Sequence, residues 1–180
     1  EKVIEVSKEH LENIHRGSLY NNRVNRHIQD GRQFLKQIKN GYYDIIIIDL
    51  PDPSKLSLAP LYSIEFYEEV RRVLKEDGLM VTQFTPPYYF IEGFTSAYKT
   101  IKTVFPETYP YVVPGSLQGS LGYIIAGKNN DPRIVRNRGV GGVWYESAQN
   151  NYLFNLPKLI KDYLVDNSIH ISTDNNPMIH

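Results

Sequence analysis

No cysteine occurs among the 180 residues, which excludes a disulfide framework and any thiolate metal site. Net charge is absent as well. The 20 basic and 20 acidic side chains sum to +0, so composition gives no reason to expect a phosphate-backbone partner, and no nucleic acid is expected. No apolar run approaches the roughly 18 residues of a membrane-spanning helix, and no charged-then-apolar signal opens the chain. Together these absences suit a cytoplasmic location in a reducing compartment. His10 and His15 are not spaced to share a helix face, and no second group completes a ligand set, so no metal is expected. The chain starts at Glu1 and not at Met, and a strand pattern begins at once. It is therefore expected to be a fragment, and attachment to a membrane through a preceding region stays open.

What is present is an apolar fraction of 41%, ordinary for a globular domain with a substantial core. The most informative stretch is residues 42–53. Ile45, Ile46, Ile47 and Ile48 read as a strand buried on both faces in the middle of a parallel sheet. Asp49 and Asp52 follow, in Asp49-Leu50-Pro51-Asp52-Pro53. Acids there fall at the carboxyl edge of the sheet, where open α/β sheets bind ligands. Turn-shaping is the bland alternative for two such aspartates.

Upstream, residues 2–6 read as a short strand ending near Glu5, followed by a helix from Ser7. Residues 23–29 alternate as a third strand would, with Asp30 and Gly31 opening a helix over 32–38; Asp30 in that position is by default an N-cap. Downstream come an amphipathic helix over 62–74, a buried strand over 79–84 ending near Gln83, and a helix over 88–105. An antiparallel pair follows over 108–113 and 121–127, joined by the glycine-rich loop 114–120. Residues 129–142 read as a surface linker. A terminal helical element over 151–164 precedes a stretch from Ser172 to His180 without a core pattern. The alternation of strands and helices predicts a doubly wound, mostly parallel sheet with a C-terminal antiparallel hairpin. That is the pattern of Rossmann-like, class I methyltransferase folds, here without the first strand and its glycine-rich turn.

The series Glu5, Asp30-Gly31, Asp49-Leu50-Pro51-Asp52-Pro53, Leu61-Tyr62-Ser63-Ile64-Glu65-Phe66-Tyr67, Gly78 to Gln83 and Leu156-Pro157 resembles the polyamine aminopropyltransferases, the spermidine synthase family, in its bacterial-type branch. The resemblance implies transfer of the aminopropyl group of decarboxylated S-adenosylmethionine to a diamine such as putrescine. That nucleoside sulfonium would be a co-substrate, with no permanently bound cofactor. It further implies Asp49 as catalytic base, Asp52, Gln83 and Tyr62 as substrate-binding residues, and Glu5, Asp30, Gly31 and Pro53 as contacts to the nucleoside. Residues 1–165 would form a partial catalytic domain and 166–180 a tail, in a protein that is a homodimer or homotetramer at full length. Ser116 and Leu117 stand where many members carry a tyrosine that contacts the diamine, which leaves the amine open. Two rival readings are an S-adenosylmethionine-dependent N-methyltransferase of the same fold and a non-catalytic homologue.

Overall fold

Residues 2–114, 120–134, 145 and 147–178 are described in this computed structural model. They divide into two units, Glu1–Phe34 and Leu35–His180, each taken by itself.

In the first unit the stretch expected to be a strand belongs to helix α1, Lys2–His10. Its valines show why the strand pattern misleads. Val3 is 78% and Val6 54% exposed, so no partner strand rewards their β-branched shape. Glu5 in the first turn and Lys8 and His10 in the last instead complement the helix dipole. Helix α2, Glu12–His15, ends where Arg16 takes a left-handed conformation. The expected third strand, residues 23–29, is irregular. The Asn21 side chain accepts a bond from the Arg23 amide at 2.9 Å, a local turn that competes with extended pairing. Asp30 caps helix α3, Gly31–Gln37, which runs on into the second unit.

The second unit is built on a four-stranded mixed sheet. Strand β1, Tyr43–Ile48, leads through helix α4, Ile64–Val73, into strand β2, Leu74–Phe84. Helix α5, Ile91–Val104, then precedes strands β3, Glu107–Val113, and β4, Leu121–Gly127. The spatial order is β1-β2-β4-β3, with β1 and β2 parallel and the two other pairings antiparallel. Parallel pairing of β1 and β2 follows from the helical crossover, which returns the chain to the edge where β1 began.

Period-2 alternation sorts the sheet's side chains onto two faces. Ile48, Met80, Phe84, Ile124 and Ala126 join Phe66, Tyr67, Val70, Phe94 and Ile101 of α4 and α5 in the core. Fully burying a side chain such as Ile101 or Phe94 contributes about 1.5–3 kcal/mol. The expectation that β1 is buried on both faces is corrected here. Ile45 is 64% and Ile47 74% exposed, because β1 is the edge strand of the described sheet and α4 and α5 pack on its opposite face.

The terminal helix is interrupted. Helix α6, Asn150–Leu153, and helix α7, Lys158–Leu164, flank Pro157, which lacks an amide donor and holds Leu156 out of helical conformation. The stretch without a core pattern is nonetheless anchored. Ser172 is buried; its amide donates to Thr100 Oγ1 at 2.9 Å and its carbonyl accepts from the Ile64 amide at 3.0 Å. Polar pinning of this kind leaves no apolar periodicity to read. Most of the glycine-rich loop, residues 115–119, and much of the expected linker, residues 135–142, lie outside the described residues. No described helix is long and apolar enough to cross a membrane.

Candidate active site

The parallel pairing of β1 and β2 brings two strand ends to one edge. Ile48 pairs with Thr82, so Asp49 and Gln83 each stand one residue beyond that pair. The loop after Asp49 folds back beneath the edge. Tyr62, fully buried at the end of a short 3₁₀ turn, donates to the Pro51 carbonyl at 2.9 Å and lies 3.3 Å from that of Leu50. The chain between the two aspartates is thereby fastened to the core. Burial, followed by the charges of Asp52 and Asp49, pushes the Tyr62 hydroxyl far above its ordinary value, so it remains a donor at neutral pH. Ser63 then starts α4, its hydroxyl accepting from the Phe66 amide at 3.3 Å.

A cavity of about 550 Å³ opens at this edge, lined by Asp49, Asp52, Gln83, Thr85, Tyr89 and Leu121 among others. Its two carboxylates have different surroundings. Asp52 is half-buried and held by Thr85, which donates its amide at 3.1 Å to one oxygen and its hydroxyl to the other. Asp49 is exposed, and no described side chain donates to it. One carboxylate is therefore held in place by two donors, while the oxygens of the other stay open to the cavity. No lysine or arginine is among the described lining residues. The pocket accordingly favours cations.

Gln83 has a partner that sequence reasoning missed. Tyr123 faces it across the β2–β4 ladder and donates its hydroxyl to Gln83 Oε1 at 3.3 Å. Its ring stacks on Tyr111 with centroids 5.2 Å apart and planes 15° apart, and Tyr111 meets Phe154 at 5.4 Å. Burial first, then the Asp49 charge, raises the Tyr123 hydroxyl above its ordinary value. Thr85 was missed as well, although it lies just beyond Gln83 at the same strand end.

The remaining predicted residues are placed as follows. Pro53 is buried at the end of the acidic loop. In the first unit, Glu5 is exposed on α1, and Gly31 opens α3. Asp30 Oδ1 accepts from the Gln33 amide at 2.7 Å, the capping geometry its position predicts. Among the described residues no group of three or more His, Asp or Glu is gathered as a metal site.

A mixed α/β sheet with a polar cavity at the carboxyl ends of its parallel strands defines the class: a Rossmann-like, methyltransferase-type fold. Human methyltransferase-like protein 13 in complex with SAH shares it, with a TM-score of 0.57 over 87% of this chain and 68% of that chain at 16% identity, a likeness of fold alone. The chain belongs to the spermine/spermidine synthase domain family, whose profile matches residues 1–136. It is 37% identical to a polyamine aminopropyltransferase of Saccharolobus solfataricus over 99% of this chain and 62% of that protein. Against the spermidine synthase of Thermotoga maritima the TM-score is 0.74 at 30% identity, covering 90% of this chain and 56% of the other. A spermidine synthase in complex with the transition state analogue AdoDATO gives 0.76 at 29% identity, covering 90% and 57%. The chain thus spans about three fifths of the length of the curated relatives it matches.

Proposed function

We propose that the protein to which this chain belongs transfers the aminopropyl group of decarboxylated S-adenosylmethionine to a diamine such as putrescine, giving spermidine and methylthioadenosine, with Asp49 as the general base. The observation that carries this reading is the pair of unlike carboxylates in one cavity: Asp52 held by Thr85 and Asp49 exposed beside it. Family membership and the 37% identity to a polyamine aminopropyltransferase support the same choice.

The chemistry requires this asymmetry. An alkylamine is protonated at neutral pH, its pKa lying near that of lysine, about 10.4, and only its neutral form carries a lone pair. Asp52, held by Thr85, binds the distal ammonium. Asp49 takes a proton from the reacting nitrogen as its lone pair attacks the methylene carbon beside the sulfonium. The new C–N bond forms as the C–S bond breaks, the bonding pair returns to sulfur as a neutral thioether, and the proton ends on Asp49. A base held in position contributes about 10²–10⁴-fold. Both substrates are cations, so the two acids also raise their local concentration.

Gln83 lines the amine channel, and Tyr62 acts on the substrate by setting the loop that carries both acids. Pro53 and that loop wrap the nucleoside, Glu5 accepts bonds from its ribose hydroxyls, and Asp30 with Gly31 contacts the adenine. Residues 1–165 serve catalysis and 166–180 follow as a C-terminal segment. A cytoplasmic homodimer or homotetramer at full length belongs to the same proposal.

The test is donor choice by the full-length protein. Incubation with putrescine and decarboxylated S-adenosylmethionine should yield spermidine and methylthioadenosine by mass spectrometry. Consumption of intact S-adenosylmethionine with formation of an N-methylated amine would overturn the reading in favour of methyl transfer.

A further inference from the structure

We infer that the segment 166–178 is a strap that positions the two acids of the cavity, with Asp174 as its positioning residue, acting through Ser63 and Tyr62. This inference rests on the aminopropyl-transfer reading and gives residues beyond 165 a part in it.

A continuous path of bonds runs from the strap to the cavity. Asp174 Oδ1 accepts from the Ser63 hydroxyl at 2.6 Å, and the Asp174 amide donates to Glu65 Oε2 at 3.0 Å. Two residues earlier, the Ser172 carbonyl accepts from the Ile64 amide at 3.0 Å. Ser63, Ile64 and Glu65 are therefore all held from outside α4, at the point where the 3₁₀ turn Ala59–Tyr62 gives way to that helix. Tyr62 is the last residue of the turn, and its hydroxyl donates to the Pro51 carbonyl at 2.9 Å. Pro51 stands between Asp49 and Asp52, and both acids line the cavity. A shift of that one carbonyl carries both of them with it.

The strap is itself anchored along its length to α5. Lys99 Nζ donates to the Asp166 carbonyl, Ser96 Oγ to the His170 carbonyl at 2.6 Å, and the Ser172 amide to Thr100 Oγ1 at 2.9 Å. Met178, buried, donates its amide to Ser172 Oγ at 3.0 Å. Asp174 by contrast is exposed and adds nothing to the apolar core; what it supplies is direction. The Ser63 hydroxyl has one proton, with the Pro60 carbonyl at 3.2 Å and Asp174 at 2.6 Å competing for it. The shorter, charge-assisted bond takes it, and the oxygen still accepts from the Phe66 amide at 3.3 Å. Asp174 and Glu65 also place negative charge at the N-terminal end of α4, where the helix dipole favours it. The start of α4 is thus fixed, and Tyr62 with it. Displacing a catalytic group by an ångström can cost about 10²-fold in rate, and a displacement passed on through Ser63 and Tyr62 costs less.

Asp174→Ala removes the acceptor at an exposed position. In the full-length protein, assayed with putrescine and decarboxylated S-adenosylmethionine, kcat should fall about three- to tenfold. Asp174→Asn keeps an acceptor oxygen and should stay within about twofold of wild type. Because Asp174 acts through Tyr62, the two are coupled, and in a Tyr62→Phe background Asp174→Ala should change kcat by less than about twofold. Hydrogen exchange reads the strap without any substrate: the Ile64 and Phe66 amides should exchange about fivefold faster in Asp174→Ala. An equal loss of kcat in both backgrounds would overturn the inference, as would an Asn variant as slow as the Ala variant. A lower melting temperature with kcat unchanged would assign Asp174 to stability alone and overturn it too. A wild-type protein that forms no spermidine is a different result. It removes the aminopropyl-transfer reading, and the exchange rates still decide whether the strap holds the start of α4.

Discussion

Thr85 is the residue that makes two similar aspartates different. It donates its amide at 3.1 Å and its hydroxyl to Asp52, fixing the direction of that carboxylate at the cavity. Removing the hydroxyl while keeping the shape leaves the backbone bond, so Asp52 should be less well directed. For Thr85→Val the account predicts a rise in amine KM of about 5–20-fold, the loss of one charge-assisted hydrogen bond worth about 1–2 kcal/mol, with kcat nearly unchanged. Steady-state kinetics on the full-length protein would check this, and a kcat loss at constant KM would count against the anchoring role. That Asp49, Asp52 and Gln83 share one edge of the sheet was legible in the sequence, because each ends or follows a strand with a clear apolar run. Thr85 and Tyr123 were not. Their contacts with Asp52 and Gln83 depend on the folding of the loop onto β2 and on the register between β2 and β4, and neither depends on local pattern.

At the scale of elements, α4 and β2 follow each other without a loop, and the crossover closes onto β1 through a bulge between Tyr43 and Ile45. Gly78 makes that approach possible. A Cβ at this position would meet Leu74 Cγ at 2.8 Å and the Asp44 carbonyl at 3.0 Å, and Leu74 is fully buried. Gly78→Ala should therefore destabilise by about 1–3 kcal/mol through overpacking, read as a lower midpoint in denaturant titration; an unchanged midpoint would mean that the bulge absorbs the methyl group. The extents of β4, of β2 from residue 79 onward and of α5 could be anticipated, since long apolar periodicity leaves little choice, whereas the charged start of β2, expected to close the preceding helix, could not. The region of α1 could not. Five residues of mixed charged and β-branched character satisfy a strand or a helix equally, and exposure of Val3 and Val6 decides for the helix. Expecting β1 to be buried on both faces failed for a related reason, because an apolar run does not say what covers it.

Across the whole molecule, the aromatic side chains link the site to the stability of the fold. The chain holds 14 tyrosines, and several lie in or beside the sheet. Burial first, then Tyr123, pushes Tyr111 up to about 12, against about 10 in an unfolded chain. A group raised on folding contributes stability that is complete below its unfolded value and is lost as pH rises through its folded one. The melting temperature should therefore begin to fall above about pH 10, and phenolate absorbance should show a late-titrating fraction. Tyr111→Phe should diminish that fraction; retention of all of it would contradict the placement of Tyr111 in the stack.

The central claim is that Asp49 and Asp52 divide the work, one as base and one as anchor. The most direct measurement is a comparison of Asp49→Asn and Asp52→Asn in the full-length protein, with putrescine and decarboxylated S-adenosylmethionine under saturating donor. The account predicts that Asp49→Asn loses about 10²–10⁴-fold in kcat with little change in amine KM, while Asp52→Asn chiefly raises amine KM. Near-normal kcat in Asp49→Asn, or the two kinetic patterns exchanged between the variants, would contradict it.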